Sequence, residues 1–176
     1  CSLAGPESRP PGEVLRRAQS YGPAVCADAD EMASLLRASL EGTLQPAAGR
    51  RVAIIGAGPA GLSAAHDLAL LGFRPVVFET EPIPAGMLVF GVPRYRLPLN
   101  VIQHEVAVIQ ALGVDIRCGV TVGKDVSFAD LRRNFAAIII AVGAKSSRGL
   151  GLPGERGPRV YGGVDLLRAV ALETPI

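Results

Sequence analysis

The stretch at residues 51–80, RVAIIGAGPAGLSAAHDLALLGFRPVVFET, constrains the fold more than any other part of the chain. Residues 52–55 are a short apolar, β-branched run of the kind that forms a buried parallel strand. Gly56, Gly58 and Gly61 follow at the spacing G-x-G-x-x-G. The Ala- and Leu-rich run 62–71 predicts a helix that Gly72 stops. A second strand at 75–78 ends on Glu79.

A strand, a glycine turn and a helix in this order can hold a dinucleotide. Gly56 permits the tight turn out of the strand, Gly58 lets a pyrophosphate approach the backbone, and Gly61 lets the helix pack close to the strand. The helix N-terminus offers unpaired N–H groups and a partial positive charge to phosphates. Pro59 suits the first helical turn, where its missing N–H costs little. A carboxylate at Glu79 can accept hydrogen bonds from ribose hydroxyls and repels a 2′-phosphate, which favours FAD or NAD over NADP at this turn. Without a ligand, the same three glycines would make an ordinary βα turn and Glu79 would be solvated.

Length and composition fit one α/β domain. The 176 residues are 49% hydrophobic, with no apolar run of membrane-spanning length. A net charge of +2, with arginines scattered rather than striped, points to no nucleic-acid partner. Cys1, Cys26 and Cys118 form no C-x-x-C pair, so neither a redox dithiol nor a zinc site is expected. Free thiols and the lack of a signal peptide at the start predict a cytoplasmic protein. The chain opens on Cys1, as a processed chain or a piece of a larger protein does.

Residues 1–50 differ in character. The opening 1–12 is rich in Pro, Gly and Ser and should be irregular, and 13–20 can form a short helix. Asp28 or Asp30 can cap a better helix at 31–40, with Met32, Leu35, Leu36 and Leu40 on one face, ended by Gly42. This helix should pack on the domain surface, with 45–49 as a linker.

After Glu79 the simple alternation pauses. Residues 81–98 carry four prolines and two glycines and should not form a regular helix. Asn100 is expected to cap a helix at 101–112 that Gly113 ends, and short strands are expected at 114–118 and 120–122. Ser127 should cap a helix through Asn134, 137–142 should be another buried strand ending at Gly143, 153–163 a loop and 164–172 a final helix. Strand–helix alternation of this kind makes the class α/β with a mostly parallel sheet.

The segments VAIIGAGPAG, VVFE, AGMLVFGVPRYRLP, LGVDIRCGVTVGKDV and AIIIAVGA occur in that order. Their succession resembles the FAD-binding domain of the glutamate synthase small subunit family, a pyridine nucleotide-disulfide oxidoreductase-like domain. It is also found in the flavin part of dihydropyrimidine dehydrogenase and in related iron–sulfur flavoproteins. The resemblance covers residues 51–172. It implies a Rossmann-like FAD-binding domain at 51–176, preceded by a short helical leader at 1–50.

By that resemblance Gly56, Gly58, Pro59, Ala60 and Gly61 hold the FAD pyrophosphate, and Glu79 the adenosine ribose. Gly86, Met87 and Leu88 match a family G-G-x-L turn in which Ala85 here replaces the first glycine. Gly91, Val92, Pro93 and Arg94 match the segment near the flavin, and Val122 the strand that reads the adenine edge. Ala141, Val142 and Gly143 match the second turn beside the cofactor. Met87, Leu88 and Phe90 serve equally well as plain core, and Arg94 and Arg96 as solvated charges. His66 and His104 lie on predicted helices without neighbouring ligands, and Cys118 reads as a small buried hydrophobe. No catalytic acid, base or metal ligand is expected.

Family members carry a second glycine-rich motif, for NAD(P)H, just past the helix matching 164–172, and then a return segment that completes the flavin site. Neither is present by Ile176. The expectation is therefore the FAD-binding portion of an NAD(P)H-dependent oxidoreductase, not competent alone. Its NAD(P)H site and iron–sulfur clusters would lie on a missing domain or partner chains. The alternatives are a noncatalytic FAD- or nucleotide-binding subunit of a larger complex, or an NAD-binding module. The segment AGMLVFGVPRYRLP argues against the last.

Overall fold

The computed structural model describes residues 28–40 and 49–175. The expectations for 1–27 and 41–48, which include the helix at 13–20, the stop at Gly42 and most of the linker, lie outside the described residues.

Four strands form one parallel sheet in the order β3-β2-β1-β4: β1 (Arg51–Ile55), β2 (Arg74–Glu79), β3 (Asp115–Cys118) and β4 (Ala137–Ile140). Among the described residues six helices accompany them: α1 (Ala29–Leu40), α2 (Pro59–Leu70), α3 (Met87–Phe90), α4 (Leu99–Ala111), α5 (Phe128–Asn134) and α6 (Gly163–Leu172). The class is α/β with a Rossmann-like sheet, as the alternation predicts.

Side chains of successive strand residues point to opposite faces, and each face has its own core. Ile54 and Val77 join Leu62 and Ala65 of α2 and Ile102 and Val106 of α4 on one face. Ala53, Val76 and Phe78 meet Leu131 of α5 on the other, with Phe135 packed edge-on against Phe78 at 6.0 Å. β1 and β2 are therefore covered on both sides, which is why they read as continuous apolar runs. α1 lies outside α4. Its Ala33 is buried, Arg37 Nη2 donates to Ala111 O at 2.9 Å, and Asp28 Oδ1 accepts from Asp30 N–H at 3.1 Å as the cap.

Several boundaries differ from expectation. α2 begins at Pro59 rather than at residue 62, because Gly58 stands at the N-cap and Pro59 starts the first turn. Asn100 is not a cap: the extended backbone of Pro98 turns the chain into α4, and no side chain caps its first turn. The segment 81–98 is mostly turns, but four residues, Met87–Phe90, make one helical turn. Residues 120–122 are not a strand. Gly119, with φ of +71°, ends β3, and Val122 makes only an isolated bridge to Val126. β4 is shorter than 137–142 and is not buried. Ile140 is 65% exposed because the two turns of α5 are too short to cover the strand's end. Cys118 is half-buried rather than buried. Ser127 does cap α5, its Oγ accepting from Asp130 N–H at 3.0 Å.

Candidate functional site

The register of the sheet places three strand ends side by side. Ile55 pairs with Phe78 on one side and Ile140 on the other, so Gly56, Glu79 and Ala141 lie abreast, each one step further along. Gly56 N–H donates to Phe78 O at 2.8 Å, and Ala141 N–H to Ile55 O at 2.8 Å. Open parallel sheets bind ligands beyond the carboxyl ends of their strands. Two clefts open there, of about 190 and 180 Å³.

The three glycines of the fingerprint are there for different reasons. Gly56 has φ of +104°, and a Cβ on it would collide with the carbonyl oxygen of Ala141. A Cβ on Gly61 would meet the carbonyl oxygen of Gly56. Both are demanded by the fold's own backbone. Gly58 is different: its backbone is extended, at φ −72° and ψ −179°, and a Cβ there meets no atom within 4 Å. Nothing in the chain itself requires a glycine at this position. The space its missing side chain leaves opens into the first cleft, beside the N-terminal turn of α2, whose N–H groups lack helical partners. That space fits the close approach of a pyrophosphate.

Glu79 is not solvated; it is 2% exposed. Its Oε2 accepts from Ala57 N–H at 2.7 Å, and its Oε1 from Glu81 N–H at 2.9 Å and Lys145 Nζ at 2.9 Å. Burial pushes its pKa up. The Glu81 and Ala57 N–H bonds, then the Lys145 bond and charge, outweigh that and hold the carboxyl below its ordinary range. Glu81, also buried, receives a forked contact from Arg168 of α6, Nη2 to Oε2 at 2.8 Å and Nε to both oxygens at 3.1 Å. That bond raises the pKa of Arg168. Cys118, one strand over, has its thiol pKa pushed up by burial and then by the charge of Glu79.

Most of the residues singled out in the sequence gather here. Gly58, Pro59, Ala60 and Glu79 line the first cleft, joined from the other side by Gly86, Met87 and the turn Ala141, Val142 and Gly143. Gly56, Val122, Glu79 and Val142 line the second. Gly86, with φ of +51°, folds against Gly58. Gly61, Leu88, Gly91, Val92 and Arg94 do not line either cleft. Leu88 packs on the core, and Arg94 Nη2 donates to Ala171 O at 3.1 Å, at the C-terminal end of α6. Three charged residues were not foreseen: Glu81, Lys145 and Arg168. Glu81 and Lys145 follow strand ends by a few residues, a position that could have flagged them. Arg168 lies 87 residues from its partner, and no local pattern announces it.

Among the described residues no cluster of His, Cys, Asp and Glu is arranged to hold a metal, and no helix is long and apolar enough to cross a membrane.

Residues 50–174 match the family described as pyridine nucleotide-disulphide oxidoreductase. The chain is 46% identical over 123 residues to the NADP(+)-dependent formate dehydrogenase subunit beta of Moorella thermoacetica, covering 70% of this chain and 17% of that protein. It is 39% identical over 120 residues to the glutamate synthase (NADPH) small chain of Halomonas elongata, covering 68% and 25%. Among solved structures it is similar to Mycobacterium tuberculosis FprA in complex with NADPH, with a TM-score of 0.61 and 27% identity over 71% of this chain and 29% of that one. The chain thus spans between 17% and 29% of the length of these proteins.

Proposed function

Because the chain belongs to the pyridine nucleotide-disulphide oxidoreductase family, we propose that it is the FAD-binding portion of an NAD(P)H-dependent flavoprotein oxidoreductase of the glutamate synthase small subunit type. One observation carries the assignment of the site: Gly58 is a glycine that neither backbone conformation nor packing demands, and it faces a helix N-terminus. The family membership supports the same reading.

In this proposal the first turn of α2 and the backbone at Gly58, Ala60 and Gly61 hold the pyrophosphate. Glu79 orients the adenosine ribose, and Val122 lies beside the adenine. Gly86 and Met87, with Ala141, Val142 and Gly143, border the flavin half, and the segment of Leu88, Gly91, Val92 and Arg94 backs that border from outside the cleft. Bound here, FAD would supply the redox chemistry between NAD(P)H and iron–sulfur centres. The chain's own residues bind, orient and shield; no side chain needs to move a proton. The NAD(P)H site and the iron–sulfur clusters belong to further domains or partner subunits. Residues 1–50 form a leader and 51–176 the FAD-binding domain. Its location is the cytoplasm, where free thiols such as Cys118 stay reduced.

The test is Gly58→Val. A Cβ there meets no protein atom within 4 Å, so the fold has room for the branch and the unfolding midpoint should stay close to the parent's. FAD affinity, read by quenching of flavin fluorescence, should fall by at least tenfold. A variant that binds FAD as the parent does would remove the pyrophosphate from this turn.

A further inference from the structure

The two clefts at the strand ends are one groove divided by a side chain. They share Glu79, Glu81, Val142 and Lys145. On one side lie Gly58 and the N-terminus of α2, on the other Phe78, Val120 and Val122. Lys145 crosses between them, its ammonium 2.9 Å from Glu79 Oε1 and 3.7 Å from Glu81 Oε1.

We propose that Lys145 is an internal occupant of the ribose seat, bound to Glu79 until a nucleotide's ribose diol displaces it. This rests on the dinucleotide reading above. Two of the three contacts on Glu79 are backbone N–H bonds, from Ala57 and Glu81, and these are fixed by the fold. The third is an ammonium on a flexible stem, 43% exposed at its side chain against 2% for its partner. The exchangeable contact is therefore the lysine. A vicinal diol presents two O–H donors and replaces the hydrogen bond that the ammonium gives up. Glu81 lies within reach to receive the displaced charge. With Arg168 already on Glu81, two cations then still face two carboxylates, and no buried charge is left uncompensated. Lys145 thus balances the charge of Glu79 while the seat awaits its ligand, and it competes with that ligand for the same oxygen.

A competitor inside the molecule lowers apparent affinity by the fraction of time the seat is closed. Removing it should tighten binding. Lys145→Met keeps the length of the stem and deletes the charge. Its affinity for FAD and for ADP should rise about two- to fivefold, the weight of one half-exposed ion pair. Lys145→Arg, which can fork onto Glu79, should bind both ligands more weakly than the parent. The amide resonance of Ala57, whose N–H is bonded to Glu79 Oε2, should keep its position in Lys145→Met, because the backbone bonds hold the carboxylate. Unchanged or weaker binding by Lys145→Met, with FAD still bound by the parent, overturns the displacement and makes Lys145 inert or a ligand contact. A shifted Ala57 amide overturns it too, since the lysine would then be what holds Glu79 in place. If neither protein binds FAD or ADP, the dinucleotide reading itself falls, and this inference with it.

Discussion

The unit β1–α2–β2 and the stretch from Ala141 through α6 are held together by different means. In the first, Ile54, Ala57 and Val77 are fully buried, and Gly56 and Gly61 bring backbones into contact that any side chain would prevent. In the second, Leu150 is 78% exposed and Val170 61%, and none of α6's residues is fully buried. That stretch is pinned by polar contacts. Glu155 accepts N–H bonds from Leu150 and Gly151 at 2.6 and 2.7 Å, Arg168 grips Glu81, and Arg94 reaches the end of α6. The site lies at the seam, with its turn and carboxylate on the buried unit and its cations on the pinned one. Rigid backbone holds the groups that must not move, and exposed side chains carry the charges that can.

Core truncation should separate the two regions most sharply. Ile54→Ala removes a fully buried side chain between two helices and should cost about 2–5 kcal/mol, enough to threaten folding. Leu167→Ala on α6, where the side chain is half exposed, should cost no more than about 0.5 kcal/mol. Denaturant unfolding of the two variants checks this. Equal losses would mean that α6 belongs to the same core.

Arg168→Ala tests the pins. It strips Glu81 of its forked partner and leaves Lys145 at 3.7 Å, at a cost of about 1–3 kcal/mol. The loss should be local. Hydrogen exchange across Gly163–Leu172 should accelerate, while β1 and β2 keep their protection. Uniform acceleration would show that the two regions unfold as one.

The same contrast explains what could be read in the sequence. The buried unit was legible because its constraints are local. An apolar run, three glycines at fixed spacing and a carboxylate at a strand end lie within residues 51–80. The two-sided core made β1 and β2 read as buried strands, and so they are. The same pattern at Ala137–Ile140 misled, because AIII is as apolar as a buried strand although little covers its end. Cover is a property of neighbours distant in sequence. The cleft's cations were invisible for a similar reason, since Lys145 and Arg168 find their carboxylates 66 and 87 residues away. Asn100 misled because a cap-forming residue lay two residues too late, after Pro98 had already set the entry angle.

Acid sharpens the comparison at its seam. Glu79 has its folded-state pKa lowered, so the carboxylate is held more tightly charged in the folded chain than in the unfolded one. Its contribution to stability is fully present above the unfolded value, about pH 4.3. It is lost as pH falls through the lower folded value. Glu79→Gln cannot accept from both N–H groups without turning its own NH₂ toward one of them. The variant should therefore be less stable near neutrality by about 1–2 kcal/mol. Thermal midpoints measured from pH 7 down through pH 3 should converge. A gap that stayed constant over that range would mean the charge of Glu79 contributes nothing.

The smallest effect is expected inside the best-packed region. Ala85 is fully buried, yet its φ is +86°, a conformation that favours glycine; its N–H donates to Ala57 O at 2.7 Å. Ala85→Gly relieves backbone strain of about 1–2 kcal/mol. Against that it removes one buried methyl, worth about 0.8 kcal/mol, and it adds freedom to the unfolded chain, worth about 0.4–1 kcal/mol. These effects oppose one another and leave a net change of about 0.5 kcal/mol or less. Ala65, equally buried but in the middle of α2, has no strain to relieve. There Ala→Gly loses the methyl and about 1 kcal/mol of helix propensity, so about 2 kcal/mol in all. Measured side by side in urea, the two substitutions should differ clearly although both delete one methyl from the same core. Equal losses would show that the backbone at residue 85 carries no strain, and that the turn folded against Gly58 fits alanine as well as it fits glycine.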